Sequence, residues 1–266
     1  MKVLDAIKKG FELASKNLNL VFVILAFNLI WNLGTIPFTP ETPPAGVGVG
    51  AAMSPALAII SIIFVLASIF IQGGVLGAAR DIVKTGKLEL AKFKDYGAKF
   101  YVRLLALALV IVLIIGIIGF LATLIVAASA PTGNAVLIAI TTIVALVVGG
   151  IGLYLVVLLF LSPYILVVED ISIVQAMKAS IDFVRKALLK VVGLGALLVL
   201  IGFGVGLIMG IIAGILSLVI KGKFLQVITG VISAGVNGYL SVVVTICLLS
   251  YYLAMKSGAS SEKSST

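Results

Sequence analysis

The residues able to do chemistry are few. The chain of 266 residues contains no histidine, and its single cysteine, Cys247, stands among Ile246, Leu248 and Leu249. Without imidazole the commonest general base and transition-metal ligand is missing, which argues against most hydrolase and metalloenzyme chemistry; no cofactor is expected. One cysteine cannot close a disulfide within the chain, and its apolar neighbours make it a buried, inert thiol. The polar groups placed inside or near the ends of apolar runs are Asn28 and Asn32, one helical turn apart, then Gln72 and Asn237, with Tyr154 and Tyr164 beside them. In lipid such side chains turn toward protein, where hydrogen bonds offset their desolvation. They either glue helices together or line a polar cavity, and the tyrosines anchor at the interface or wall that cavity. No Asp, Glu, Lys or Arg lies deep within an apolar run, which argues against proton-coupled pumps, voltage sensors and charge-selective pores.

The net charge of +9 sits in short segments between the apolar runs. Lys92, Lys94, Lys99, Arg103, Lys178, Arg185 and Lys186 form a basic face that either holds anionic lipid headgroups or simply orients the chain. No nucleic-acid module accompanies the charge, so nucleic acid is not an expected partner. The expected partners are membrane lipids, with a protein partner or a second copy of the chain as alternatives.

The elements that must position these residues follow from composition. At 62% hydrophobic and 11% charged, with a mean hydropathy of +1.33, the chain lies far from soluble usage, where about a quarter of residues are charged. Apolar runs long enough to cross a hydrocarbon core recur along it, and the alternation of a membrane barrel is absent, so the expectation is an all-α, polytopic integral membrane protein. Six spans are expected: 18–38, 54–79, 104–130, 135–168, 191–220 and 226–255. The first stops at Thr39-Pro40-Glu41-Thr42-Pro43-Pro44 and a glycine-rich loop to Met53, and Ser54-Pro55 restarts the helix with a cap and a first-turn proline. Pro131-Thr132-Gly133-Asn134 is a tight turn. The fourth span is long enough to tilt, to kink near Gly149-Gly150 or Pro163, or to project. Ser172-Ile173-Val174-Gln175 fits a capping box, so a new helix begins there. Residues 256–266 read as a disordered cytoplasmic tail. The basic N-terminal stretch is expected to be retained rather than cleaved, since Asn28, Trp31 and Asn32 stand where small residues would be needed.

Seventeen of the 19 Lys and Arg residues fall in 1–17, 80–103, 169–190 and the tail, which predicts both termini in the cytoplasm of a multi-pass plasma-membrane protein. Three of these segments place an acid four residues before a lysine: Glu12 and Lys16, Asp95 and Lys99, Asp182 and Lys186. Each also carries an apolar stripe at helical spacing, Ile7, Phe11, Ala14 and Leu18 in the first. They read as amphipathic helices in the interface, each preceding a transmembrane hairpin. The 1–255 membrane domain is thus expected to be three pseudo-repeats, 1–79, 86–168 and 172–255. In the fifth span Gly202, Gly206, Gly210 and Gly214 fall on one face. Spacing of that kind predicts close packing on the sixth span, through Gly230, Ala234 and Gly238, or a face for a second copy.

Ala6-Ile7-Lys8-Lys9-Gly10-Phe11, Phe160-Leu161-Ser162-Pro163-Tyr164 leading to Val168-Glu169-Asp170, and Ala176-Met177-Lys178-Ala179-Ser180 give the chain a resemblance. It is similar to the membrane-domain family of glycerophosphoryl diester phosphodiesterases and to that family's stand-alone bacterial and archaeal relatives of unknown function. In that family the catalytic barrel is a separate soluble domain. The resemblance therefore implies a membrane domain without the phosphodiesterase activity, and maps no catalytic residues onto this sequence. The expectation is a non-enzymatic protein for lipid handling or small-molecule transport, or else a membrane scaffold that docks a partner.

Overall fold

Lipid leaves a backbone N–H or C=O no partner outside the chain, so an apolar segment closes its own hydrogen bonds as helix. The computed structural model describes residues 2–38, 55–220 and 222–263. The expected stop after Phe38, the glycine-rich loop, the Ser54 cap and Lys221 lie outside the described residues. Within them every regular element is helical: α1 (Val3–Lys16), α2 (Leu18–Thr35), α3 (Pro55–Thr85), α4 (Phe93–Ser129), α5 (Ala135–Leu159), α6 (Ser162–Glu169), α7 (Ile173–Lys186), α8 (Leu188–Val219) and α9 (Lys223–Lys263), with three short 3₁₀ turns. Six helical stretches are long and apolar enough to cross a membrane, the make-up of a multi-pass membrane protein.

The caps explain the boundaries. Ser172 accepts from Gln175 N–H, and Ser172 N–H donates to Gln175 Oε1, closing the expected capping box of α7. At α1 half of that device is present, Lys2 N–H donating to Asp5 Oδ2. Gly133 takes a left-handed φ of 61°, and Asn134 Oδ1 accepts from Val136 and Leu137 to start α5. Pro163 breaks the fourth span between Leu159 and Ser162, while Gly149-Gly150 pass unbroken within α5.

Three expectations are corrected. The middle amphipathic segment is the first turns of α4 rather than a separate helix, because nothing between Phe93 and Ser129 interrupts the ladder. The last helix continues through Lys263, where a disordered tail was expected from 256, since extending a nucleated helix is cheap. The glycines of α8 do not pack on α9: a Cβ at Gly202, Gly206, Gly210 or Gly214 would meet nothing within 4 Å.

The chain forms two compact units, Met1–Tyr101 with Gly193–Thr266, and Val102–Val192. In the first, α9 is the hub, with α1 and α2 laid along it and α3 touching it more lightly. Small residues set the approach: a Cβ at Gly238 would lie 3.2 Å from Leu25 N on α2, and Ala234 is fully buried. Phe64 of α3 stacks against Phe27 and Trp31 of α2, at ring-centroid distances of 4.6 and 4.0 Å. The start of α4 plugs into α3, where the ring of Phe93 fills the space a Cβ at Gly74 would take and Tyr96 does the same at Gly77. In the second unit α7 packs on α5 and α6. Ser180 Oγ donates to Leu158 O across that contact at 2.7 Å.

Candidate functional site

Of the six polar residues that sequence marks for a cavity, four lie in the first unit and two in the second. Asn32 on α2 donates to the Gly230 carbonyl of α9 at 3.1 Å, which is helix glue. Asn28, half-buried one turn earlier, makes no side-chain hydrogen bond among the described residues. Gln72 on α3 and Asn237 on α9 are exposed. Tyr154 and Tyr164 belong to the other unit, the first 43% exposed and the second beside Phe160.

The first unit instead contains an open groove of about 370 Å³ beside α9, lined by Phe11, Ile201, Val205, Gly235, Val236, Tyr239 and Leu240. Three helices build it: α1 gives Phe11, α8 gives Ile201 and Val205, and α9 gives the rest. Phe11 and Tyr239 meet at 6.1 Å between ring centroids, and the Tyr239 hydroxyl shares a hydrogen bond of 2.8 Å with Ser15 Oγ. The hydroxyl pair thus gives the groove one polar edge beside α1, whose Lys8, Lys9 and Lys16 are exposed. Lys16 pairs with Glu12 at 2.5 Å, and that hydrogen bond, then the lysine charge, holds the Glu12 carboxyl below the usual carboxylate range. An apolar trough of this size with one polar edge suits a hydrocarbon chain carrying a small head; ligand sites run from about 300 to 1,000 Å³.

In the second unit a wider groove of about 670 Å³ runs between α4 and α5, lined by Ala122, Thr123, Val126, Gly149, Gly150 and neighbours. Its threonines offer nothing, since Thr123 donates to Gly119 O and Thr142 to Ile138 O.

The expected basic face divides. Lys92 pairs with Glu89 at 2.7 Å. Arg103 donates to Asp170 Oδ1 at 2.9 Å and to Ile171 O at 3.4 Å, holding the corner between α6 and α7 where Asp170 has a φ of 53°. Arg103 is therefore a clamp before it is a headgroup contact. Lys99 lies over the Phe100 ring. Lys94, Lys178, Arg185 and Lys186 are exposed, and among the described residues Asp182 and Lys186 do not close the expected ion pair. Sequence reasoning missed a compact polar cluster at the end of α3, where Tyr96 donates to Asp81 at 2.6 Å, Arg80 reaches Asp81 at 3.4 Å and its guanidinium stacks over Tyr96 at 5.1 Å. The signal was Arg80-Asp81 directly after a buried run. It also missed the groove, because nothing local links Ser15 to a tyrosine 224 residues away.

Among the described residues no three His, Cys, Asp or Glu side chains gather as metal ligands. Cys247 is fully buried, against Gly10 of α1. No curated protein and no solved structure matches the chain. A family model does, across residues 1–255 and hence nearly all of both units, and the chain accordingly belongs to the family described as Domain of unknown function (DUF7847).

Proposed function

We propose that the protein is a non-catalytic, lipid-handling or small-molecule-transporting protein of the plasma membrane. The observation that carries this reading is the apolar groove beside α9 with the Ser15 and Tyr239 hydroxyls at its edge. A single hydrocarbon chain lies along Ile201, Val205 and Leu240, and its head meets the hydroxyl pair and the α1 lysines. The charge bias supports both termini in the cytoplasm, with α1, the start of α4 and α7 lying at that interface ahead of three hairpins. The likeness to the membrane part of glycerophosphoryl diester phosphodiesterases fits a role beside lipid without hydrolysis.

The test is mass spectrometry of lipids that co-purify in native lipid discs, against discs of an unrelated six-helix protein. One lipid class should be enriched, and Val205→Trp, which fills the groove from α8, should remove at least half of it while the protein stays folded. No enrichment, or full retention in that variant, sinks the reading.

A second reading, a membrane module that docks a partner or a second copy, is favoured by the uncovered glycine face of α8 at Gly202, Gly206, Gly210 and Gly214. Gly206→Leu should then abolish cross-linking between copies or to the partner. Charge reversal at Lys178, Arg185 and Lys186 should release a partner held at the interface, and retention of every partner in both variants would end this idea.

A further inference from the structure

The break between α5 and α6 leaves a buried hydroxyl without a partner and a carbonyl without its ordinary helical donor. Pro163 has no N–H, so it cannot serve the carbonyl of Leu159 four residues earlier as a helix normally would. The adjacent carbonyl, of Leu158, is engaged from outside by Ser180 Oγ at 2.7 Å. Ser162, at the start of α6, is 0% exposed, and its hydroxyl has no hydrogen-bond partner. Serine and threonine in helices usually turn back onto the carbonyl four residues before, as Ser61 and Thr123 do in this chain. For Ser162 that carbonyl is Leu158 O, which Ser180 already occupies. The wall around it is apolar, since Leu158, Leu161, Ile165 and Leu166 are at most 1% exposed.

A buried hydroxyl left alone in such a wall is costly, and native interiors satisfy such groups with protein or with ordered water. Non-helical backbone at membrane depth is tolerated where its freed groups find such partners. The same residue pattern recurs as Leu249-Ser250-Tyr251-Tyr252, but there α9 runs straight through because tyrosine stands in place of proline. The Ser250 hydroxyl there is also buried without a partner, so the orphan hydroxyl belongs to both sites; what Pro163 adds is the loss of the Leu159 carbonyl's ordinary helical donor.

We propose that this break binds one ordered water molecule, held by the Ser162 hydroxyl and the proline-freed Leu159 carbonyl, and that the break in the fourth span is therefore hydrated. Water suits the donor set better than a cation does: the groups are neutral oxygens, and the hydroxyl can both give and accept. The inference stands on the second unit alone and is independent of the lipid groove.

Hydroxyl-radical footprinting of the full chain in lipid discs tests it, because a bound water is activated where bulk water does not reach. Leu158, Leu159 and Leu161 should be labelled despite their burial, and Pro163→Ala, which restores the helical donor, should remove the label while Ser162 remains. Ser162→Ala should lower the thermal midpoint by about 2–4 °C. An unlabelled break in the wild type, a midpoint unchanged or raised by Ser162→Ala, or a midpoint that rises specifically with sodium would overturn the proposal.

Discussion

The seats of α1 on α9 and of α7 on α5 and α6 solve one problem in two ways. Both helices run for 14 residues, and each ends at a single residue of nearly the same conformation, Asn17 at φ −124° and ψ 49°, Ala187 at φ −127° and ψ 28°. Both bury small side chains at four-residue spacing, Ala6, Gly10 and Ala14 in one, Ala176, Ser180 and Val184 in the other. The middle position differs. A Cβ at Gly10 would lie 2.9 Å from the Val243 carbonyl oxygen and 3.0 Å from Cys247 Cβ, so only glycine fits there. Ser180 instead donates to the Leu158 carbonyl. The receiving helix explains the choice. α9 is unbroken at Val243, so that carbonyl has its own helical donor and the docking helix need only come close. Leu158 stands beside the end of α5, where the ladder fails, and there a hydroxyl supplies what the helix does not.

The largest effect should come from filling the tighter seat. Gly10→Leu should cost about 1–3 kcal/mol through overpacking, lift α1 from α9, and make the buried Cys247 accessible to maleimide; a protected thiol in that variant would break the account of the seat. Next, Ser180→Ala should cost about 1–2 kcal/mol by stranding its half of a buried hydrogen bond, read from the thermal midpoint. Gly10→Ser should still be destabilising although it brings the same hydroxyl, and a neutral result would show the two seats to be interchangeable.

A smaller difference is expected at the corner behind α7. Asp170 holds a left-handed conformation that most side chains resist. Asp170→Ala should therefore be less stable than Asp170→Gly by about 1 kcal/mol, both variants having lost the partly exposed pair with Arg103. Equal midpoints would mean that the corner carries no strain. The smallest effect belongs to Glu12. Its carboxyl is depressed by Lys16, so the pair's contribution is present above the ordinary carboxylate range and is lost as pH falls through the lowered folded value. The Glu12 carboxyl resonance should titrate below the ordinary range, and Lys16→Met should return it there.

Much of the fold was legible. The six spans, the Asn134 turn and the Ser172 capping box follow from hydropathy length, turn chemistry and local side-chain to backbone bonds, all of which act within a few residues. The break near Pro163 was legible for the same reason. The separation of α7 from α8 was legible as an amphipathic helix ahead of the fifth span, but its place was not, since it falls at Ala187, the residue type most at home in a helix, and nothing local explains it. The candidate site was less legible still. Asn28, Asn32, Gln72 and Asn237 were singled out by polarity, yet the groove is made by apolar side chains that look like any lipid-facing residue until three helices meet around Tyr239.

The sequence by itself determined that this chain is helical, that it is built to cross a membrane, and where its charge lies, because each is set by segment length, composition and neighbouring residues. Tertiary structure alone decided which small residues are used for packing. Gly10, Gly74, Gly77 and Gly238 receive neighbours while the regular glycine row of α8 receives none. Spacing along one helix says only that a close approach is allowed; which helix makes it depends on the shape of the opposing surface and on which backbone groups there still lack a partner.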